Sequence, residues 1–250
     1  MQKRVCMLSL FVLVSCGQSK TFEYENNAEV QSISRSVDDI ARKCGSSQSC
    51  LKRELSSIAL KGKRNLSYRT ARYEMFQNID SKRENGRTVV YGVYSSEPYT
   101  IRGSGIPDHN KFNCEHTWPQ SKFTTKRRNG HSPKTDLIHL FPTISKLNSK
   151  RGNKPFGEID GHNPTTIQIS SSKADPPDNH KGAVARAMFY MSIAYSMRID
   201  ARQEATLRDW NKRFPVTNEE RERADKIIDA QGNINPFVID SSLISSISDF

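Results

Sequence analysis

The stretch that decides the fold reads Asn113-Cys-Glu-His-Thr-Trp-Pro-Gln-Ser-Lys-Phe123, near the middle of a 250-residue chain. It places a carboxylate, Glu115, beside an imidazole, His116, and Pro119 follows closely. Neighbouring residues on a regular strand point to opposite faces, so the two side chains can serve one centre only from opposite sides of a substrate or where the strand breaks. A neutral imidazole suits a general base near pH 7. The pair therefore makes this stretch the first candidate for a catalytic site.

Positive charge is concentrated directly after this pair. The whole chain carries 38 Lys+Arg against 27 Asp+Glu, a formal net charge of +11. Residues 119–154 hold a single acid, Asp136, and nine basic residues, which are Lys122, Lys126, Arg127, Arg128, Lys134, Lys146, Lys150, Arg151 and Lys154. Solvated charged faces normally mix both signs, so a field of one sign favours a polyanionic partner such as nucleic acid.

Asn148 adds a second oxygen-bearing side chain within the basic segment. A hard divalent cation such as Mg²⁺ prefers oxygen ligands and keeps several waters. Glu115 and Asn148 can supply two such oxygens, while His116 can deprotonate a water that attacks a phosphodiester. The residue types therefore favour a metal-dependent phosphodiester hydrolase.

Two other classes of function fit part of the pattern. A non-enzymatic binder of nucleic acid or another polyanion at the cell surface would share the basic segment, but it would not need Glu115, His116 and Asn148 together. A zinc hydrolase would use the histidines, which all lie between His109 and His180, yet no His-x-x-x-His or His-Glu-x-x-His spacing occurs. The combination of carboxylate, imidazole and amide therefore favours the metal-dependent hydrolase.

The first residues resemble an export signal. A basic start precedes an apolar run at 5–14, which has signal-peptide length and is too short to span a bilayer. Leu13-Val-Ser-Cys16 then resembles the bacterial lipobox, whose cysteine receives lipid; the alternative is an ordinary secretory signal. We expect a lipoprotein-type signal peptide over 1–15, lipidation of Cys16, and a protein exported to the periplasm or outer membrane, or secreted.

Export places the remaining cysteines in an oxidising compartment. Cys44 and Cys50 flank a Gly/Ser-rich loop and can close a small disulfide. Cys114 is then left alone beside the Glu-His pair. A buried small apolar residue is the favoured interpretation of Cys114, and a nucleophile or metal ligand is the alternative.

The pattern of apolar residues predicts one mixed domain. Residues 16–36 are polar and are expected to form a linker, and 37–250 are expected to form the domain. Helical spacing and strand-like alternation then divide the domain into segments. The prediction is helical structure in 37–80, strands in 86–101, a long irregular stretch over 102–182, and helices at 183–198, 202–212 and 217–230.

Four segments carry a resemblance to a known family. They are the 113–123 stretch, Asp136–Thr143, Leu147–Asn153 and Gln231–Phe237. Together, and in this order, they resemble the bacterial endonuclease I family, which comprises secreted and periplasmic nucleases of the His-Me finger (ββα-metal) class. The resemblance covers about residues 50–240. It implies an α+β fold, a single mixed domain with several helices around a ββα-metal finger.

The resemblance also implies roles for individual residues. His116 matches the general base of the family, and Glu115 and Asn148 match the ligands of one divalent ion, Mg²⁺ or another such as Mn²⁺ or Ca²⁺. Asp136 and His139 are expected to orient the site by hydrogen bonds rather than to bind the metal.

The substrate implied by the resemblance is DNA, with RNA as a further candidate, cleaved with little sequence specificity. Lys126, Arg127, Arg128 and Arg151 are the candidates for contact with its phosphates. We expect a monomer that touches the membrane only through its lipid anchor.

Overall fold

A computed structural model describes residues 27–250 of the chain. The predicted signal peptide at 1–15 and the lipidation site Cys16 lie outside these residues. The described part is a mixed α+β domain, as predicted, in which helices surround small antiparallel sheets. None of its helices has the length and apolarity that a membrane span needs.

The helices of this part are α1 Ala28–Cys44, α2 Gln48–Leu60, α3 Tyr68–Glu74, α4 Ser145–Arg151, α5 Asp178–Tyr195, α6 Ala201–Arg213, α7 Asn218–Gln231, α8 Pro236–Ile239 and α9 Leu243–Ser246. The strands are β1 Ser81–Glu84, β2 Arg87–Tyr91, β3 Pro98–Ile101, β4 Phe112–His116, β5 Leu140–Ile144, β6 Gln168–Ile169 and β7 Ala174–Asp175.

Helix α1 crosses the predicted boundary between linker and domain. It begins at Ala28, and its apolar residues Val30 and Ile33 are buried in the core. The polar composition of 16–36 hides these two residues, so the boundary at 36/37 is wrong. A disulfide joins Cys44, at the end of α1, to Cys50 in the first turns of α2, as the sequence suggested.

Helix α5 forms the centre of the core. Almost every residue from His180 to Tyr195 is buried, and both α2 and α6 pack against this helix. The predicted helices at 202–212 and 217–230 are confirmed as α6 and α7. Gly232 ends α7 with a positive φ of +82°. A Cβ at this position would lie 2.5 Å from the carbonyl oxygen of Gly62, so the C-terminus of α7 requires glycine.

The segment 86–101, predicted to hold one or two strands, contains β2 and β3 of a three-stranded antiparallel sheet ordered β1-β2-β3. Strand β1 was missed because its sequence, Ser-Lys-Arg-Glu, carries no apolar residue. A tight turn at Asn85 and Gly86, both with positive φ, joins β1 to β2 as in a type I′ hairpin.

Strands β4 and β5 form a separate antiparallel pair, and α4 follows β5 directly. In this pair Glu115 lies opposite Phe141 and His116 opposite Leu140. The prediction of a wholly irregular 102–182 is therefore wrong. Strand β4 has only two apolar residues, Phe112 and Cys114, and β5 contains Pro142. A long connection separates the two strands, so the local signal of each is weak.

Candidate active site

The structure brings Glu115, His116 and Asn148 to one cavity of about 470 Å³. Glu115 and His116 are the last two residues of β4, and Asn148 lies in the middle of α4. Because the pair stands where the strand ends, both side chains reach the same cavity. The other residues around it are Tyr68, Asn113, Cys114, Pro119, Gln120, Ser121, Arg151, Gly152 and Asn153.

Glu115 is a buried carboxylate with two strong partners. Its side chain is 2% exposed, and its Oε1 accepts a hydrogen bond from the Tyr94 hydroxyl at 2.8 Å. The same oxygen lies 3.0 Å from Nη1 of Arg151. Burial raises the pKa of Glu115, while Arg151 and Tyr94 act to lower it. A nearby cation would favour the charged form of this carboxylate.

His116 is held by a backbone carbonyl on one side of its ring. Its Nε2 lies 3.1 Å from the carbonyl oxygen of Lys134, and its Nδ1 lies 3.3 Å from Nε2 of Gln120. A carbonyl can only accept, so this contact assigns the proton to Nε2 and leaves the lone pair on Nδ1. Burial, and then the charge of the neighbouring His139, lower the pKa of His116 to about 3. The ring is therefore neutral at physiological pH.

A buried polar network supports the segment that carries the Lys134 carbonyl. Asp136 accepts hydrogen bonds from the hydroxyls of Tyr190 and Tyr195 at 2.8 and 2.7 Å, and from the Gln231 amide at 3.1 Å. Burial alone would raise the pKa of Asp136, but the ammonium of Lys63, 3.7 Å away, and the tyrosine hydroxyls bring it below its usual value. Asp136 thus stays charged and anchors this segment.

His139 contributes to the same support. Its Nε2 lies 2.7 Å from the carbonyl oxygen of Pro133, and its ring packs edge-on against the ring of His116. Its side chain and that of Asp136 are fully buried and do not line the cavity. These contacts agree with the expectation that both residues orient the site.

Asn148 is fixed by its amide nitrogen. Nδ2 donates to the carbonyl oxygen of Cys114 at 3.1 Å, which leaves Oδ1 as the free oxygen of this side chain within residues 27–250. Cys114 itself is an unpaired, buried cysteine, and burial raises the pKa of its thiol, as expected of an inert apolar residue rather than a nucleophile.

The donor set fits a hard divalent cation. A carboxylate and an amide oxygen line one cavity, and such ions take oxygen ligands and complete their shell with water and phosphate. Over residues 27–250 no group of three or more His, Cys, Asp or Glu side chains is arranged to hold a metal. Any ion bound here would therefore rely on Glu115, the Asn148 oxygen, and non-protein ligands.

Arg151 does not have the exposed position that a phosphate contact needs. Its side chain is 1% exposed, and its guanidinium donates to the carbonyl oxygens of His116 and Thr117 at 3.2 and 2.9 Å, besides pairing with Glu115. It also stacks on the ring of Phe156, 4.3 Å from the centroid. Arg151 was predicted as a phosphate contact, but its side chain is buried against Glu115 and the end of β4.

The other three predicted phosphate contacts lie away from the cavity. Lys126 and Arg127 are exposed on the connection between β4 and β5, and Arg128 lines a different cavity. Two residues of the site were missed. Tyr94 lies in a strand-like apolar segment, and Gln120 lies in the 113–123 stretch but has no distinctive chemistry of its own. Only the folded chain shows that they contact Glu115 and His116.

Comparison with known proteins finds relatives that are secreted or periplasmic nucleases by name. The chain is 32% identical over 134 residues to Endonuclease-1 of Buchnera aphidicola subsp. Baizongia pistaciae, covering 50% of this chain and 51% of the relative. It is 31% identical over 110 residues to a periplasmic deoxyribonuclease of Aeromonas hydrophila, covering 41% and 46%. It is 27% identical over 216 residues to an extracellular ribonuclease of Bacillus subtilis, covering 78% and 72%.

The match to the Buchnera protein spans about half the length of that relative. The family model described as Endonuclease I matches residues 47–242, which include β4, β5 and α4 and thus the whole cavity. The chain therefore belongs to the Endonuclease I family.

Proposed function

We propose that this protein is a metal-dependent endonuclease that hydrolyses phosphodiester bonds of DNA, and of RNA, with little sequence specificity. The observation that carries the proposal is one cavity shared by the neutral imidazole of His116 and the side-chain oxygens of Glu115 and Asn148. Relatives named as deoxyribonucleases and as ribonucleases support both substrates. The arrangement of β4, β5 and α4 supports assignment to the His-Me finger class.

In this mechanism His116 acts as the general base. Its Nε2 proton is committed to the Lys134 carbonyl, so Nδ1 accepts a proton from a water that attacks phosphorus. The Gln120 amide donates to Nδ1 in this structure, so the attacking water would replace Gln120 as the partner of Nδ1. The proton moves from water to Nδ1 as the new oxygen–phosphorus bond forms, and the bond to the leaving oxygen breaks.

Glu115 and the Asn148 oxygen would hold Mg²⁺, or another divalent ion such as Mn²⁺ or Ca²⁺. Such an ion supplies stabilisation of the negative charge that develops on the phosphoryl and leaving oxygens. The chain prepares for it by keeping Glu115 ordered between Tyr94 and Arg151 and by fixing the Asn148 amide on the Cys114 carbonyl.

The test uses the full chain with Cys16 replaced by Ser, incubated with plasmid DNA and with total RNA. Three conditions are compared: Mg²⁺, EDTA, and Mg²⁺ with His116→Ala. His109→Ala is the matched control, because His109 is an exposed histidine outside the cavity. We expect cleavage by the parent chain and by His109→Ala with Mg²⁺ only.

Undiminished cleavage by a folded His116→Ala variant would exclude the proposed base. Retarded but intact DNA under all conditions would identify a binding protein instead. In that case Glu115→Ala should leave binding unchanged, since binding alone does not need the carboxylate.

We also propose that the protein is exported and anchored by lipid on Cys16. The names of extracellular and periplasmic relatives support export, and the lipobox-like sequence supports the anchor. In a detergent phase-separation experiment on cells that express the whole chain, the parent protein should enter the detergent phase. Cys16→Ser should move it to the aqueous phase; an unchanged distribution would contradict the anchor.

A further inference from the structure

A second cavity, of about 600 Å³, lies beside the connection between β4 and β5. It is bounded by α2, by the chain end and by the C-terminal end of α5. Its charged side chains are Lys52, Arg53, Arg128, Arg198 and Asp249, and the lining residue Phe250 adds its carboxylate, so four cations face two anions. Hydroxyl groups of α2, those of Ser56 and Ser57, also line it.

Three of these cations are left without partners by the fold. Within residues 27–250 the side chains of Lys52, Arg128 and Arg198 form no ion pair and no hydrogen bond, whereas Arg53 pairs with Glu54. Like charges that share one cavity repel one another, so this arrangement does not stabilise the unbound protein. A polyanion that neutralises them would be bound favourably.

The cavity is connected to the candidate active site by a short segment of chain. Lys134 contacts His116 through its carbonyl, and His131, three residues earlier, forms a backbone bridge with Arg128. Three residues span at most about 10 Å and a bridged pair adds about 5 Å, so Arg128 lies within roughly 15 Å of Lys134. Phosphates of one DNA strand advance about 3.4 Å along the axis per step. That limit corresponds to at most about four or five nucleotides.

We infer that this second cavity binds the phosphate backbone of the nucleic acid, within about five nucleotides of the bond that is cut. The inference rests on the proposed nuclease function and extends it. Arg128 was predicted to contact phosphate but does not line the catalytic cavity. The inference assigns its phosphate contact to the second cavity. The contacts are to phosphates, so they add affinity without sequence preference.

The test measures binding in a His116→Ala background, where DNA stays intact. A 30-base-pair duplex is titrated at several salt concentrations against Arg128→Ala/Arg198→Ala. The matched control is Arg87→Ala/Lys212→Ala, which removes two exposed cations that do not line the cavity. Loss of two phosphate contacts should weaken binding about tenfold and reduce the salt slope by about 2, while the control changes neither.

Cleavage in the His116 parent gives a second readout. The Arg128/Arg198 variant should show a raised KM for the duplex and a kcat close to that of the control pair. Lys52→Ala/Arg198→Ala provides an independent pair should Arg128 prove necessary for folding, and circular dichroism checks each variant.

The two proposals fail in different ways. Equal affinity and equal salt slope for cavity and control variants, with cleavage intact, would overturn the second binding site. No cleavage by the parent chain, with salt-dependent binding that still requires Arg128 and Arg198, would overturn the nuclease proposal alone.

Discussion

The guanidinium of Arg151 lies 3.0 Å from the carboxylate of Glu115, and both side chains are almost completely buried. The same guanidinium donates to the main-chain carbonyls of His116 and Thr117. One buried cation therefore offsets the charge of the proposed metal ligand and also holds the end of β4 in place. This makes Arg151 a positioning residue, which acts on the site through Glu115 and the backbone of His116.

Replacing Arg151 with Met should destabilise the fold strongly. Removing one partner of a buried ion pair leaves an uncompensated charge, which costs about 3–5 kcal/mol of unfolding free energy. Urea unfolding of the variant measures this loss. Arg127→Met removes an exposed arginine from the surface and should change stability by no more than about 0.5 kcal/mol. Equal stability of the two variants would contradict the structural role of the pair.

Tyr94→Phe should lower the apparent affinity of the site for Mg²⁺ while leaving the fold intact. The substitution removes only the hydroxyl that donates to Glu115 at 2.8 Å. Groups that orient a metal ligand are typically worth about 10–100-fold in metal affinity or activity. The Mg²⁺ concentration for half-maximal cleavage should therefore rise about tenfold or more. Tyr73→Phe, at a half-exposed tyrosine, is the control; the same Mg²⁺ dependence for both variants would remove Tyr94 from the site.

The sequence predicted the chemistry of the site better than its geometry. Glu115, His116 and Asn148 were recognisable because their side chains are chemically distinctive and stand in a basic segment. The cavity confirms that they come together. Tyr94 was not predicted, since a tyrosine in an apolar strand-like segment looks like any core residue. The burial of Arg151 was not predicted either, because burial of a cation depends on partners far away in sequence.

For the fold, too, elements with a local sequence signal were predicted, and elements that depend on distant partners were not. Helices α6 and α7 follow from local apolar spacing and from Pro215 and Gly232, which separate and end them. Strands β4 and β5 could not be predicted from local spacing, because each pairs with the other across a long connection. The part of α1 before residue 37 was missed for a third reason, since two buried apolar residues in a polar stretch are too few to show a period.

Stability should fall as the pH is lowered below 6.5, and His180 should be one cause. Its ring is buried against Phe141, and burial, then the charge of Arg223, lowers its pKa from 6.5 to about 3. The unfolded chain therefore binds a proton that the folded chain does not accept. The contribution of neutral His180 to the free energy of unfolding is fully present above pH 6.5 and decreases toward pH 3. The slope for this group is up to about 1.4 kcal/mol per pH unit.

His180→Gln should remove this part of the slope. Urea unfolding between pH 4 and pH 7 would show a shallower dependence for the variant than for the parent. His109→Gln changes an exposed histidine and should keep the parental slope. A parental slope in His180→Gln would show that the ring is not held neutral.

The disulfide should stabilise the domain without affecting cleavage. Cys44 and Cys50, six residues apart, tie the end of α1 to α2, and neither cysteine lines the catalytic cavity. A loop of this size contributes about 2 kcal/mol by restricting the unfolded chain. In a chain with Cys16 replaced, Cys44→Ser/Cys50→Ser should lower the unfolding free energy by that amount and leave kcat at 25 °C unchanged. Dithiothreitol should destabilise the parent equally and have no effect on the double variant, because Cys114 is already a free thiol. Destabilisation of the double variant by dithiothreitol would mean that another pairing exists.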